Sequence, residues 1–236
     1  MFPISDDNSD RTITPFVNYV FIGVNILVFL LLQQLGNNES FTYAYSLVPK
    51  EIISGIDLQG LSEIRDSSGK ILGDVNHFST PLPVYFNFLS SMFMHGSIAH
   101  IGGNMLFLWI FGDNLENLLG HVRYAAFYIV CGIAAATAQI IAGPDSIIPM
   151  LGASGAISGV LGGYVLLFPK RNVRALFFNF MTTVPAFVAI GIWIVYQLVL
   201  GYLTPSTGGG VAYAAHIGGF IAGVVFVKIF ALGRRI

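Results

Sequence analysis

Charge is scarce in this chain and cysteine almost absent. Only 10% of the 236 residues are charged, 55% are hydrophobic and the mean hydropathy is +0.74. That is too little polar surface to cover a soluble protein of this size, so the composition excludes an ordinary soluble domain and implies a membrane protein. The single cysteine, Cys131, excludes an internal disulfide and, lying in an apolar run, reads as a small core residue. A net charge of −1 and the lack of any basic tract leave nucleic acid without a binding surface. No HExxH pattern occurs to suggest a metal centre. What the chain has in plenty is glycine, 27 residues, which suits helices that approach closely in lipid.

Apolar windows long enough to span a bilayer fall at about 17–35, 97–117, 122–142, 152–169, 184–203 and 211–231. The expected fold class is therefore an all-α membrane protein, a bundle of six transmembrane helices. Residues 1–16 form a polar tail and 17–236 one membrane domain. The tail carries Asp6, Asp7, Asp10 and Arg11 and does not read as a cleavable signal peptide. One long connection, 36–96, holds the turn signals Gly36-Asn37-Asn38 and Asp66-Ser67-Ser68-Gly69, and its stretch Pro83 to Met94 reads as interfacial or re-entrant.

Lysine and arginine set the orientation. Arg11, Arg123, Lys170, Arg171, Arg174, Lys228, Arg234 and Arg235 fall on one side of six alternating spans, whereas the other side receives only Lys50, Arg65 and Lys70. By the positive-inside tendency both termini are expected in the cytoplasm, with the protein multi-pass in a plasma (inner) membrane and the long loop facing outward.

Four polar side chains sit near the starts of spans two, four and six: His100, Asn104, Ser154 and His216. All three spans run inward, so the four share a depth just below the outer face. A polar group in hydrocarbon is costly unless met by a partner, so the layer implies a buried polar site. His100 and Asn104, four residues apart, share a helix face, and both can donate hydrogen bonds. Ser154 stands where a loop enters a helix, with Gly152 before it. His216, with an ordinary pKa near ~6.5, can take a proton near neutral pH. Gly155, Gly159 and Gly163 in span four, and Ala215, Gly219 and Gly223 in span six, repeat at four-residue spacing and let the two helices meet closely. No Asp or Glu occurs in spans four or six, which favours a Ser-His dyad over a triad.

Taken together, His95-x4-His100-x3-Asn104, Gly152-Ala153-Ser154-Gly155 and Ala215-His216-Ile217-Gly218-Gly219, in that order on spans two, four and six, resemble the rhomboid family of intramembrane serine proteases. The resemblance covers nearly the whole chain. It implies Ser154 as nucleophile and His216 as base, and an oxyanion hole from His100, Asn104 and the Ser154 amide, with His95 in a loop that shapes the site. Some relatives place an aromatic residue one turn after the serine, to stack on the histidine; that position here is Ser158. The resemblance also suggests that span five and the 204–210 loop admit substrate, with transmembrane proteins as substrates and no metal or organic cofactor. Trp193 and Phe187 of span five read as lipid or packing contacts. Asp113, Asn114, Glu116 and Asn117 read as groups that cap a helix or bind nearby backbone. Two other classes remain open, a non-proteolytic membrane-protein binder or chaperone of the same architecture, and a transporter.

Overall fold

The computed structural model describes residues 2–65, 68–177, 179–203 and 212–234. The turn residues Asp66 and Ser67, the 204–210 loop and Arg235 lie outside the described residues. Helices occupy every apolar window: α1 Phe16–Leu27, α5 Ile98–Leu119, α6 His121–Ala142, α7 Ser154–Leu167, α8 Ala186–Leu203 and α9 Tyr213–Phe230. Between α1 and α5 run α2 Glu39–Ala44, α3 Pro49–Ser54 and α4 Asn87–Ser90. Among the described residues α6, α8 and α9 are long and apolar enough to cross a membrane; Phe16–Leu32 and Ser154–Leu167 are shorter apolar helices.

Strands supply what the windows did not reveal. The long connection contains a hairpin, β2 Gly60–Arg65 and β3 Ile71–His77, which flanks the expected turn. The polar tail holds β1 Phe2–Asp6, which pairs antiparallel with β4 Asn172–Phe177, itself paired with β5 Phe180–Pro185. This sheet lies at the end of the helical body where α5 meets α6, hereafter the far end.

Side chains on α5 fasten that end. Glu116 accepts from the amides of Val17 and Asn18 at 2.8 and 2.7 Å, so a carboxylate from another helix satisfies free N–H groups at the start of α1. Asn117 accepts likewise from the amides of Thr12 and Ile13. Arg11 donates to Asp113 at 2.8 Å, Asn114 to Asp6 at 2.7 Å, and the Tyr164 hydroxyl to Asp6 at 2.5 Å.

Helix α1 carries a buried polar face to the opposite end. Asn18, Asn25 and Gln33 are all fully buried. The first two are seven residues apart, two helical turns, but Gln33 follows Asn25 by eight. A π-helical turn at Val28–Leu32, with the Gln33 amide donating to the Val28 carbonyl at 2.9 Å, absorbs the extra residue and keeps Gln33 facing inward.

Helices α7 and α9 meet backbone to backbone. A Cβ built on Gly219 would collide with the carbonyl oxygen of Gly155, and one on Gly223 with that of Gly159. No residue with a side chain fits at either position without moving a backbone. Cys131 of α6 is buried against Gly159 and unpaired.

Candidate active site

Three helix starts converge at the end opposite the sheet. Ser154 opens α7, His216 lies in the first turn of α9, and His100 and Asn104 lie in the first two turns of α5. The glycine contact between α7 and α9 fixes the separation of the first two. Ser154 Oγ and His216 Nε2 are 2.8 Å apart, a hydrogen bond between residues 62 positions distant in sequence.

The other face of the imidazole is occupied too. His216 Nδ1 lies 2.9 Å from Gln197 Oε1, contributed by α8. A carbonyl oxygen only accepts, so Nδ1 carries the ring proton and Nε2 presents a lone pair to the serine hydroxyl. Gln197 was missed in the sequence, although a lone amide in the second half of an apolar helix was a usable signal. The position one turn after the serine holds Ser158, whose hydroxyl donates to the Ser154 carbonyl at 2.6 Å rather than touching the imidazole. An aromatic neighbour comes instead from α8: the Trp193 ring centroid is 6.0 Å from that of His216, so of the two expected roles Trp193 has the packing one. Phe187 is 53% exposed.

Across the cavity stand the potential donors. Ser97 caps α5 by accepting from the His100 amide at 3.1 Å. The Gly96 amide donates to His100 Nδ1 at 3.4 Å, which places the ring proton on Nε2, the nitrogen near Gly152. Gly152 has φ +127°, and a Cβ there would press on the His100 ring, so the residue before Ala153-Ser154 must be glycine on both counts. Asn104 Nδ2 meets His95 Nε2 at 2.9 Å, which leaves the second amide proton of Asn104 unassigned. His95 is fully buried and is held through its backbone, because Gln33 donates to its carbonyl and accepts from its amide, both at 2.9 Å. The rings of His95 and His100 lie edge to face at 5.1 Å. Gln33 is a second contributor that the sequence reading passed over.

These groups line a cavity of about 1210 Å³, whose wall includes His100, Asn104, Gly152, Ser154, Gln197 and His216. Asp74 of β3 is the one carboxylate on that wall among the described residues. No cluster of His, Cys, Asp and Glu able to hold a metal ion occurs among the described residues. A hydroxyl bonded to an imidazole lone pair can surrender its proton as it attacks a carbonyl, and N–H groups opposite can receive the negative charge that develops.

Sequence comparison points the same way. The family model of the rhomboid domain matches residues 83–232, from before α4 to beyond α9. The chain is 30% identical to rhomboid protein 1, mitochondrial, of Saccharomyces cerevisiae over 88% of its own length and 51% of the relative's. It is 28% identical to the rhomboid protease GluP of Bacillus subtilis over 93% of its length and 35% of the relative's. With rhomboid-related protein 2 of Mus musculus the identity is 29% over 59% of this chain and 46% of the relative. The chain thus spans about half or less of the length of these relatives. The matched region takes in α5, α7, α8 and α9, which carry His100, Asn104, Ser154, Gln197 and His216, and on that match the chain belongs to the rhomboid family.

Proposed function

We propose that the chain is an intramembrane serine endopeptidase that cuts transmembrane segments of other membrane proteins with a Ser154–His216 dyad. The observation that carries this reading is the 2.8 Å contact between Ser154 Oγ and His216 Nε2 on the wall of a cavity of about 1210 Å³. Ser154 Oγ attacks the scissile carbonyl carbon while its proton passes to His216 Nε2. The oxyanion is held by Asn104 Nδ2, His100 Nε2 and the Ser154 amide, which as the first of its helix has no intrahelical acceptor. Collapse expels the amine with the proton from His216, and water, deprotonated by the same nitrogen, releases the acyl group.

The same reading makes α1, α5, α6, α7, α8 and α9 six membrane spans and residues 17–236 one protease domain, with 36–96 as its outward loop. Both termini then lie in the cytoplasm of a cell bounded by a plasma (inner) membrane. The distribution of lysine and arginine supports that orientation, and the far end with its sheet becomes cytoplasmic. The length of α7 supports the depth of the site. Its 14 residues rise only about 21 Å, against a hydrocarbon core of about 30 Å, so a span that reaches the cytoplasmic surface starts below the outer one. The non-helical backbone leading to Ser154 is then tolerated because it lines a cavity that admits water rather than lipid. A helical substrate must unwind to expose its carbonyls, so Gly, Pro or polar residues near the cut favour cleavage.

Reconstitution in liposomes with a generic transmembrane substrate tests the proposal, together with fluorophosphonate labelling. Wild type is expected to cleave and to label, while Ser154→Ala loses both and His216→Ala is severely impaired. Equal cleavage by all three proteins would overturn it, as would a wild type that neither labels nor cuts.

A further inference from the structure

Helix α8 is seated unlike its neighbours. Its buried residues are Ala186, Ala189 and Ile190 near its start and then Gln197 alone. Apolar side chains around that glutamine, Ile192, Val195, Leu198, Val199 and Tyr202, are exposed. Beyond the first turns the helix meets the body through Trp193 beside His216, Gly201 against Tyr213, and the Gln197 amide. A buried amide is ordinarily destabilising unless its polar atoms are met, and Oε1 is met only by the imidazole of His216 among the described residues.

That contact decides which nitrogen of His216 is basic. With Nδ1–H donating to Gln197, the lone pair is on Nε2, 2.8 Å from the serine oxygen. Without an acceptor at Nδ1 the two tautomers compete and the ring is free to turn, and the tautomer protonated at Nε2 cannot take the serine proton. A carboxylate does this work in a triad by position and charge; a neutral amide supplies the position alone.

Building on the proteolytic reading of Ser154 and His216, we infer that Gln197 is a positioning residue that selects the reactive tautomer of His216. Because it rides on α8, the dyad is complete only while that helix is seated against α9. Trp193 packs beside the ring, and Gln197 fixes its rotation about the Cβ–Cγ bond.

The test compares wild type with Gln197→Leu, which keeps the bulk and removes the acceptor, and Gln197→Glu, which restores one. Each is reconstituted in liposomes and assayed for kcat and KM on a transmembrane substrate, for thermal melting, and for the ring ¹⁵N resonances of His216 in histidine-labelled protein. Gln197→Leu is expected to lower kcat about tenfold or more with KM within about twofold, and to lose the Nδ1–H signature. Gln197→Glu is expected to keep that signature and recover most of kcat. Wild-type kcat and an unchanged tautomer in Gln197→Leu would overturn the inference. So would equal losses in both variants that track a lower melting temperature. The nitrogen resonances do not depend on turnover, so the tautomer assignment is decided even if wild type proves unable to cleave.

Discussion

Polar residues gather at both ends of this helical body, and the two ends treat them differently. At the far end the groups answer one another: Arg11 with Asp113, Asn114 with Asp6, Arg171 with Asp10, and Glu116 with the first amides of α1. At the site end Ser154, His216 and Gln197 form a chain, but the facing donors of His100 and Asn104 open onto a cavity. The far-end contacts tie strands to helices, whereas the donors of His100 and Asn104 face a cavity that another molecule can enter. What the polar groups face therefore separates framework from site more sharply than residue type does.

Substitutions can break this contrast. The largest effect is expected at Gly223→Val, where a side chain must displace the Gly159 carbonyl and part α7 from α9. Melting should fall by about 10 °C or more and fluorophosphonate labelling should vanish with it. Gly152→Ala should act on the site alone. Its backbone conformation and the His100 ring both oppose a Cβ, so strain of about 1–3 kcal/mol is expected, with labelling slowed about tenfold or more and only a few degrees lost in melting. Arg11→Ala should do the reverse. It removes the partner of the buried Asp113 and should lower melting by about 2–6 °C while labelling stays within about twofold of wild type. A tenfold drop in labelling there would mean that the two ends are energetically coupled.

The smallest effect is a pH dependence at the far end. Burial raises the Asp6 carboxyl from 3.8 to about 7, against the opposing hydrogen bond from Tyr164. One of its oxygens is buried without a hydrogen-bond partner among the described residues. Folded Asp6 therefore holds a proton that the unfolded chain has already released, so its contribution is full below the unfolded value, fades as pH rises to about 7, and is constant above. Amide exchange of Phe2–Asp6, corrected against an unfolded peptide, should show protection declining from about pH 4 to about pH 7, and Asp6→Asn should remove the slope.

Much of the helical frame was readable because apolar runs and their glycine rhythm are local. Ser154, His216, His100 and Asn104 stood out as polar groups at the starts of such runs, and a shared depth could be inferred from alternation alone. Gln197 and Gln33 escaped because neither has a motif around it, and the partner of each lies 19 or 62 residues away. The sheet escaped for a related reason. Its first strand is only five residues long, with a pairing partner far along the chain, and no local periodicity announces such a match. The hairpin in the long loop left only its turn visible, since Gly60 and Gly73 interrupt the strands on either side.

The pairing of Phe2–Asp6 with Val173–Leu176 has a consequence for biosynthesis. Strand β1 is translated some 170 positions before its mate, so this pairing cannot form until α1, α5, α6 and α7 have all been made. Its closure joins residues made before α1 to residues made after α7 in a single late step of folding.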